Sequence, residues 1–298
     1  MTSGIQKRNE VRIMVKKAVR IFNGATAVIT GGASGIGRAL AEELAKYGSE
    51  IILADLQLEL AEEVALSIQA SGGKARAVKL DVTDFAAVDN LLQDTVKHTG
   101  KLDFMFNNAG IFLGGPIGRH AIEDWNRIID VNLRGAVNGT HAAYKIMKRQ
   151  GFGHIVNTAS TMGLLPVGMG MPAYATIKHA IVALATTLRA ELSFDGIRIS
   201  TLCPGVIRTP ILINGGEYGK YLGEMSEEEQ KKYWEQFKPI SADSLAKKAL
   251  RAVAKNKPII VIPAKNKLYW WISRLSPSLL ILMDKLDFKK RLKNGKRD

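Results

Sequence analysis

From Gly24 onward, short runs of β-branched and apolar residues alternate with longer stretches of helical period, and this alternation constrains the fold more than any other feature. Runs at 25–29, 51–54, 75–80, 102–106, 154–157, 197–202 and 258–262 read as seven strands, with helical patterns at 36–47, 58–71, 85–99, 121–149, 173–193 and 241–255 between and around them. Strands joined by helical crossovers pair in parallel, and such a sheet is covered on both faces. The fold class predicted is α/β: a single doubly wound domain over 23–263 with a seven-stranded parallel sheet and helices on both faces. The pattern at 121–149 predicts one helix of roughly 25 residues, in the core or at a subunit interface. The segment 211–240 lacks a clean period and carries four glycines before an acidic run at 227–229. Its length favours a substrate lid over a plain surface insertion.

Charge divides the chain differently. The 298 residues hold 42 Lys and Arg against 28 Asp and Glu, a formal charge of +14. Residues 1–22, a basic N-terminal segment, hold six basic residues and one acid, and residues 255–298 hold twelve and three; the body between carries 24 of each. A nucleic-acid enzyme carries a basic stripe across its working domain, so no nucleic-acid partner is expected. A hydrophobic content of 46% excludes a disordered chain, and the lone Cys203 excludes a disulfide-stapled secreted fold. The start lacks the apolar stretch and cleavage site of a secretory signal, and Met14 would serve equally well as initiator. The nearest approach to a membrane span, 268–283, is interrupted by Arg274, Pro277 and three serines. The expected location is cytoplasmic, with peripheral membrane contact through a basic amphipathic extension at 264–298. There Trp270, Trp271, Leu275, Leu279, Leu280 and Leu282 precede a basic end at 289–297. Docking of the extension on the protein's own body or on a second subunit is the competing reading.

The first strand runs into Thr30-Gly31-Gly32-Ala33-Ser34-Gly35-Ile36-Gly37, where a helix begins. Glycines there permit a tight turn and let a pyrophosphate reach backbone N–H groups at the helix N-terminus. Eighteen residues beyond Gly37, at the end of the second strand, Asp55 can accept both ribose hydroxyls and would repel a 2′-phosphate. Ser34 occupies a position where a basic residue could pair with that phosphate, although Arg38 follows the last glycine. NAD is therefore favoured over NADP. Tyr174 and Lys178, four apart on a predicted helix, share one face, and an ammonium beside a phenol lowers its pKa toward working pH. Tyr174 could then act as general base toward an alcohol or general acid toward a carbonyl. Ser160 ends the fifth strand, at the sheet edge where ligands bind, and can orient a substrate oxygen.

These residues, with Asp81-Val82, Asn107-Asn108-Ala109-Gly110, Asn132, Tyr174-Ala175-Thr176-Ile177-Lys178 and Pro204-Gly205-Val206-Ile207-Arg208-Thr209 in this order, resemble the short-chain dehydrogenase/reductase family over roughly residues 24–263. The resemblance implies a Rossmann-type enzyme that moves hydride between NAD and an alcohol or ketone. It assigns catalysis to Asn132, Ser160, Tyr174 and Lys178. Lys178 would also hold the nicotinamide ribose, and Asn132 would position a water linking Lys178 to solvent. Cofactor contacts fall on Gly31, Ser34, Gly35, Ile36, Gly37, Asp55 and Leu56, and on Asp81 and Val82 at the adenine. Asn108, Ala109 and Gly110 would pass beside the cofactor, with Pro204, Gly205, Ile207 and Thr209 near the nicotinamide. A homodimer through the long helix and the Tyr174 helix is implied too.

Two features depart from the usual pattern. Ser160 precedes Tyr174 by fourteen residues rather than thirteen, which places an extra residue beyond Gly163, and the glycine-rich terminus of tetrameric relatives is replaced by the basic extension. In the loop before Tyr174, Leu164, Leu165, Val167, Met169, Met171 and Pro172 predict a lipophilic substrate such as a steroid, retinoid or long-chain carbonyl compound. Ser160, Leu165, Met171, Tyr174 and Ile211 are the candidate substrate contacts. A non-catalytic NAD sensor or scaffold is the rival from another class, disfavoured because all four catalytic candidates are present. The five histidines lack metal-ligand spacing, so no metal site is predicted, and Cys203 is assigned no chemistry.

Overall fold

The computed structural model describes residues 20–165 and 170–293. Residues 1–19, the loop residues Val167 and Met169, and the basic end past 293 lie outside them. Seven strands form one parallel sheet: β1 (Thr26–Thr30), β2 (Glu50–Asp55), β3 (Lys74–Lys79), β4 (Phe104–Asn107), β5 (Gly153–Thr158), β6 (Ile197–Pro204) and β7 (Ile259–Ile262). Their order is β7-β6-β5-β4-β1-β2-β3. β1 pairs with β2 on one side, Thr26 opposite Glu50, and with β4 on the other, Ala27 opposite Phe104. The strand order reverses there, which opens a crevice at the strand C-termini.

The strands are apolar throughout because both sheet faces are covered. On one face Ile29, Leu53 and Phe106 meet α1 (Gly35–Lys46), α2 (Leu58–Ala70) and α8 (Ala242–Ala254). On the other, Val28, Ile52 and Met105 meet α3 (Phe85–Thr99), α5 (Gly135–Gln150) and α6 (Pro172–Phe194). Successive residues of β1 thus point to opposite layers.

The run predicted as one helix is divided. α4 (Ile122–Ile128) leads into a π-helical turn at Ile129–Arg134 and then α5. A Cβ at Gly135 would stand 2.7 Å from Val82 Cγ2, and one at Gly139 would overlap Asn107 Oδ1, so α5 lies backbone-close on β4 and the loop after β3. The wide turn lets the chain enter that packing while Asn132 turns inward.

The segment 211–240 contains α7 (Glu227–Glu235), started by a capping box between Ser226 and Glu229. Two short parallel pairs attach its ends: Lys220–Tyr221 beside Leu113–Gly114, and Ile240–Ser241 beside Ile207–Arg208. After β7 the chain forms α9 (Asn266–Leu275) and α10 (Pro277–Lys293), with Pro277 at the first helical position. Among the described residues no helix is long and apolar enough to cross a membrane.

Candidate active site

The strand C-termini open onto a cleft of about 1400 Å³. Thr30, the last residue of β1, closes its floor: its Oγ1 accepts the N–H groups of Asn108 and Ala109, each at 3.0 Å. The Asn108 side chain continues the stitching. Its Nδ2 donates to the carbonyls of Thr30 and Gly31, and its Oδ1 accepts from Thr158 Oγ1 at 3.3 Å. The ends of β1, β4 and β5 are thereby tied together. The motif predicted only the backbone of Asn108 near a cofactor; its bracing side chain, and the roles of Thr30 and Thr158, emerge from the fold.

The glycine turn fits a dinucleotide. Gly31 holds φ +64, and a Cβ there would lie 2.9 Å from Ala109 Cα. A Cβ at Gly37 would lie 2.7 Å from Asn108 Nδ2, so this glycine serves packing beneath the turn and does not line the cleft. Ser34 stands at the N-cap of α1 without a side-chain cap, which leaves first-turn N–H groups for an anion at the cleft. Asp55 braces this turn: Oδ2 accepts from Ala33 N at 2.9 Å and Oδ1 from Gln57 N at 3.1 Å. Each oxygen retains acceptor capacity for a ribose hydroxyl. Arg38, the cation nearest in sequence, is engaged with Glu42 at 2.8 Å.

Tyr174 and Lys178 come from the first turns of α6, which packs mainly on β6 and brings Lys178 to the end of β5. The Lys178 Nζ lies 5.4 Å from the Tyr174 ring centroid and donates to the Thr158 carbonyl at 3.1 Å. Their spacing predicts a phenol drawn toward neutral pH, but the protein alone has the opposite sign. Burial pushes Tyr174 up to about 12, against the pull of a hydrogen bond with Ser160. Burial likewise brings Lys178 down to about 8, with Cys203 acting the other way. In a medium that solvates charge poorly, each neutral form gains. Besides its hydrogen bond with Tyr174, Ser160 Oγ accepts from Met162 N at 3.1 Å and makes a long contact, 3.5 Å, to the Pro204 carbonyl, so its proton can be redirected to a substrate oxygen.

Asn132 sits behind the cleft rather than on its surface. From the π turn its Oδ1 accepts from Ile111 N at 2.7 Å and its Nδ2 donates to Ile111 O at 2.9 Å. Gly110 lies between it and Lys178, since a Cβ there would stand 3.2 Å from Asn132 Oδ1 and 3.6 Å from Lys178 Nζ. The remaining predicted cofactor and substrate residues, including Leu56, Asp81, Val82, Leu165, Met171, Ile207, Thr209 and Ile211, line the cleft. Sequence reasoning missed Phe112, Trp234, Phe237 and Tyr269, which also line it. Phe112 packs on Tyr174 at 5.3 Å and on Trp234 at 6.5 Å between centroids. The Ser226-x-x-Glu229 box announced the helix that carries Trp234.

The profile of the short chain dehydrogenase family matches residues 25–217. The chain belongs to the short-chain dehydrogenase/reductase family and is an oxidoreductase. Its relatives include the 2,5-dichloro-2,5-cyclohexadiene-1,4-diol dehydrogenase LinX of Sphingobium indicum, 36% identical over 191 residues, which cover 64% of this chain and 76% of that protein. The probable oxidoreductase EphD of Mycobacterium tuberculosis is 32% identical over 274 residues, covering 91% of this chain and 46% of that longer protein. Among solved structures, a short-chain dehydrogenase/reductase from Burkholderia phymatum in complex with NAD superposes with a TM-score of 0.76 at 30% identity, covering 87% of this chain and 95% of that one. Levodione reductase gives 0.74 at 28%, with 83% and 99% covered.

Proposed function

We propose that the protein is an NAD-dependent dehydrogenase/reductase that interconverts a secondary alcohol and a ketone on a lipophilic substrate. The observation that carries this reading is the position of Tyr174. It lines the same cleft as the glycine turn and Asp55 and packs on Phe112, which with Met171, Trp234 and Phe237 gives that cleft an apolar, aromatic lining. The choice of NAD is supported by the Asp55 carboxylate and by the Arg38–Glu42 pair, which occupies the cation that could otherwise meet a 2′-phosphate.

When bound, the nicotinamide supplies the hydride acceptor or donor. The chain's own groups handle the oxygen and its proton. Ser160 and Tyr174 present two hydroxyls to one substrate oxygen. With the Tyr174 hydroxyl at about 12 and Lys178 at about 8, the resting pair at neutral pH is a protonated phenol above an ammonium. That state can donate a proton to a carbonyl oxygen as the carbonyl carbon gains hydride, with the Lys178 ammonium stabilising the phenolate that develops. In oxidation Tyr174 must first have given its proton to solvent, and the phenolate held by the Lys178 ammonium then takes the proton of the alcohol.

The test follows NAD reduction by absorbance with a panel of alcohols from short-chain to steroid. Wild type should favour the hydrophobic members, and Tyr174→Phe should reduce turnover by about a thousandfold while leaving NAD affinity intact. Turnover confined to small or sugar alcohols would overturn the substrate class. A wild type that binds NAD and turns over nothing would favour a sensor.

A further inference from the structure

Nine of the eighteen large hydrophobic side chains that stand exposed among the described residues fall within 268–286. Elsewhere they are scattered, as on any globular surface; here they form a patch. α9 is two-sided. Trp270 packs inward on the apolar cluster beside the cleft, and Ser273 Oγ donates to the Leu164 carbonyl at 3.3 Å. Leu268, Trp271 and Leu275 face away, with Leu275 84% exposed. α10 continues the surface: Leu280 is buried, whereas Leu279, Ile281, Leu282, Met283 and Leu286 stand in the open, beside exposed Lys285 and Lys289.

We propose that this outer face of α9 and α10 docks on a bilayer surface containing anionic lipid. Charge decides among the candidate occupants. Residues 1–19, with five basic residues to one acid, would set like charge against like if they covered the patch. A second copy packed on this face would draw the exposed Lys285 and Lys289 out of water into an apolar interface. An anionic headgroup layer accepts the lysines while the acyl boundary takes up the leucines and Trp271. Tyr269 and Asn266 of the same α9 line the catalytic cleft, so docking places lipid on one side of this helix and the cavity on the other. On the function proposed above, a lipophilic substrate then reaches Tyr174 from the bilayer.

Flotation of the full-length protein with phosphatidylcholine vesicles, with and without phosphatidylserine, tests the docking. Wild type should float with the phosphatidylserine vesicles and dissociate as salt rises. Leu275→Glu combined with Leu282→Glu should lower partitioning by about a hundredfold with an unchanged Tm, because both side chains are exposed in the folded protein. Lys285→Glu with Lys289→Glu should remove the preference for phosphatidylserine. Absence of flotation, or flotation indifferent to both variants, would overturn the proposal. So would a self-association in sedimentation velocity that the leucine variant abolishes while vesicles are ignored. Binding is read without turnover, so failure of the docking and failure of the proposed reaction are seen separately.

Discussion

At the residue scale, burial governs the titratable groups. His154 in β5 shows this away from the cleft: burial, with Arg198 and Arg189 adding repulsion, brings its imidazole down to about 3, and Nε2 pairs with Ser200 Oγ at 2.9 Å. An unfolded histidine takes up its proton near pH 6.5, the folded one only near 3, so the unfolded state binds more protons between those values. The site's stabilising effect is therefore full above pH 6.5 and is lost as pH falls toward 3. Between pH 7 and pH 5 the loss should be about 2 kcal/mol. Denaturant melts of wild type and His154→Gln at both values measure it: the variant should lack this increment, and equal pH slopes would refute it. The same principle explains why Tyr174 and Lys178 were found with pKa values opposite in sense to a bare ion-pair argument. Spacing on a helix shows that two side chains are neighbours, whereas their protonation depends on how much water the tertiary fold leaves around them.

At the element scale, α5 is positioned by missing side chains. Asn107, under Gly139, is buried and donates to Asn157 Oδ1 at 2.8 Å and to Thr140 Oγ1 at 3.2 Å. Gly139→Ala should push α5 off this network and cost about 1–3 kcal/mol, with a lower Tm. Gly151 ends the same helix at φ +75 with open space around it, so Gly151→Ala should cost only about 1 kcal/mol of backbone strain. Equal losses for the two would contradict the packing argument. The seven strands and most helices were legible because each buries an apolar face with its own period. The π turn was not, because the inward turn of Asn132 answers to the Ile111 backbone, a partner distant in the chain.

At the scale of the whole molecule, charged pairs tie segment 211–240 to the body. Lys220 pairs with Asp124 of α4, Arg119 with Glu224, and Arg208 with Glu235 at 2.9 Å. The Lys220 hydrogen bond holds the buried Asp124 carboxyl below its ordinary range. Lys220 itself is exposed, so the pair is weaker than a fully buried one. On the function proposed above, Asp124→Asn should loosen segment 211–240 and raise KM for a bulky apolar substrate about fivefold with little change in kcat. Steady-state kinetics checks this, and an unchanged KM would show that the segment is held by its aromatic contacts instead.

Read from residue patterns alone, the chain already declared its layer architecture, its glycine turn, Asp55, and the Ser160, Tyr174 and Lys178 constellation. Those signals are local: periodicity within one element, or fixed offsets along one helix or turn. What the tertiary structure decided is relational. The Thr30–Asn108–Thr158 stitching joins three strand ends, and the aromatic wall of Phe112, Trp234, Phe237 and Tyr269 is assembled from segments far apart in the chain. The extension, legible as apolar and basic, was divided only by packing. Trp270 turns onto the body and Leu280 is buried, whereas Trp271, Leu275, Leu279 and Leu282 stay exposed, because burial of one face of a helix depends on what lies beneath it.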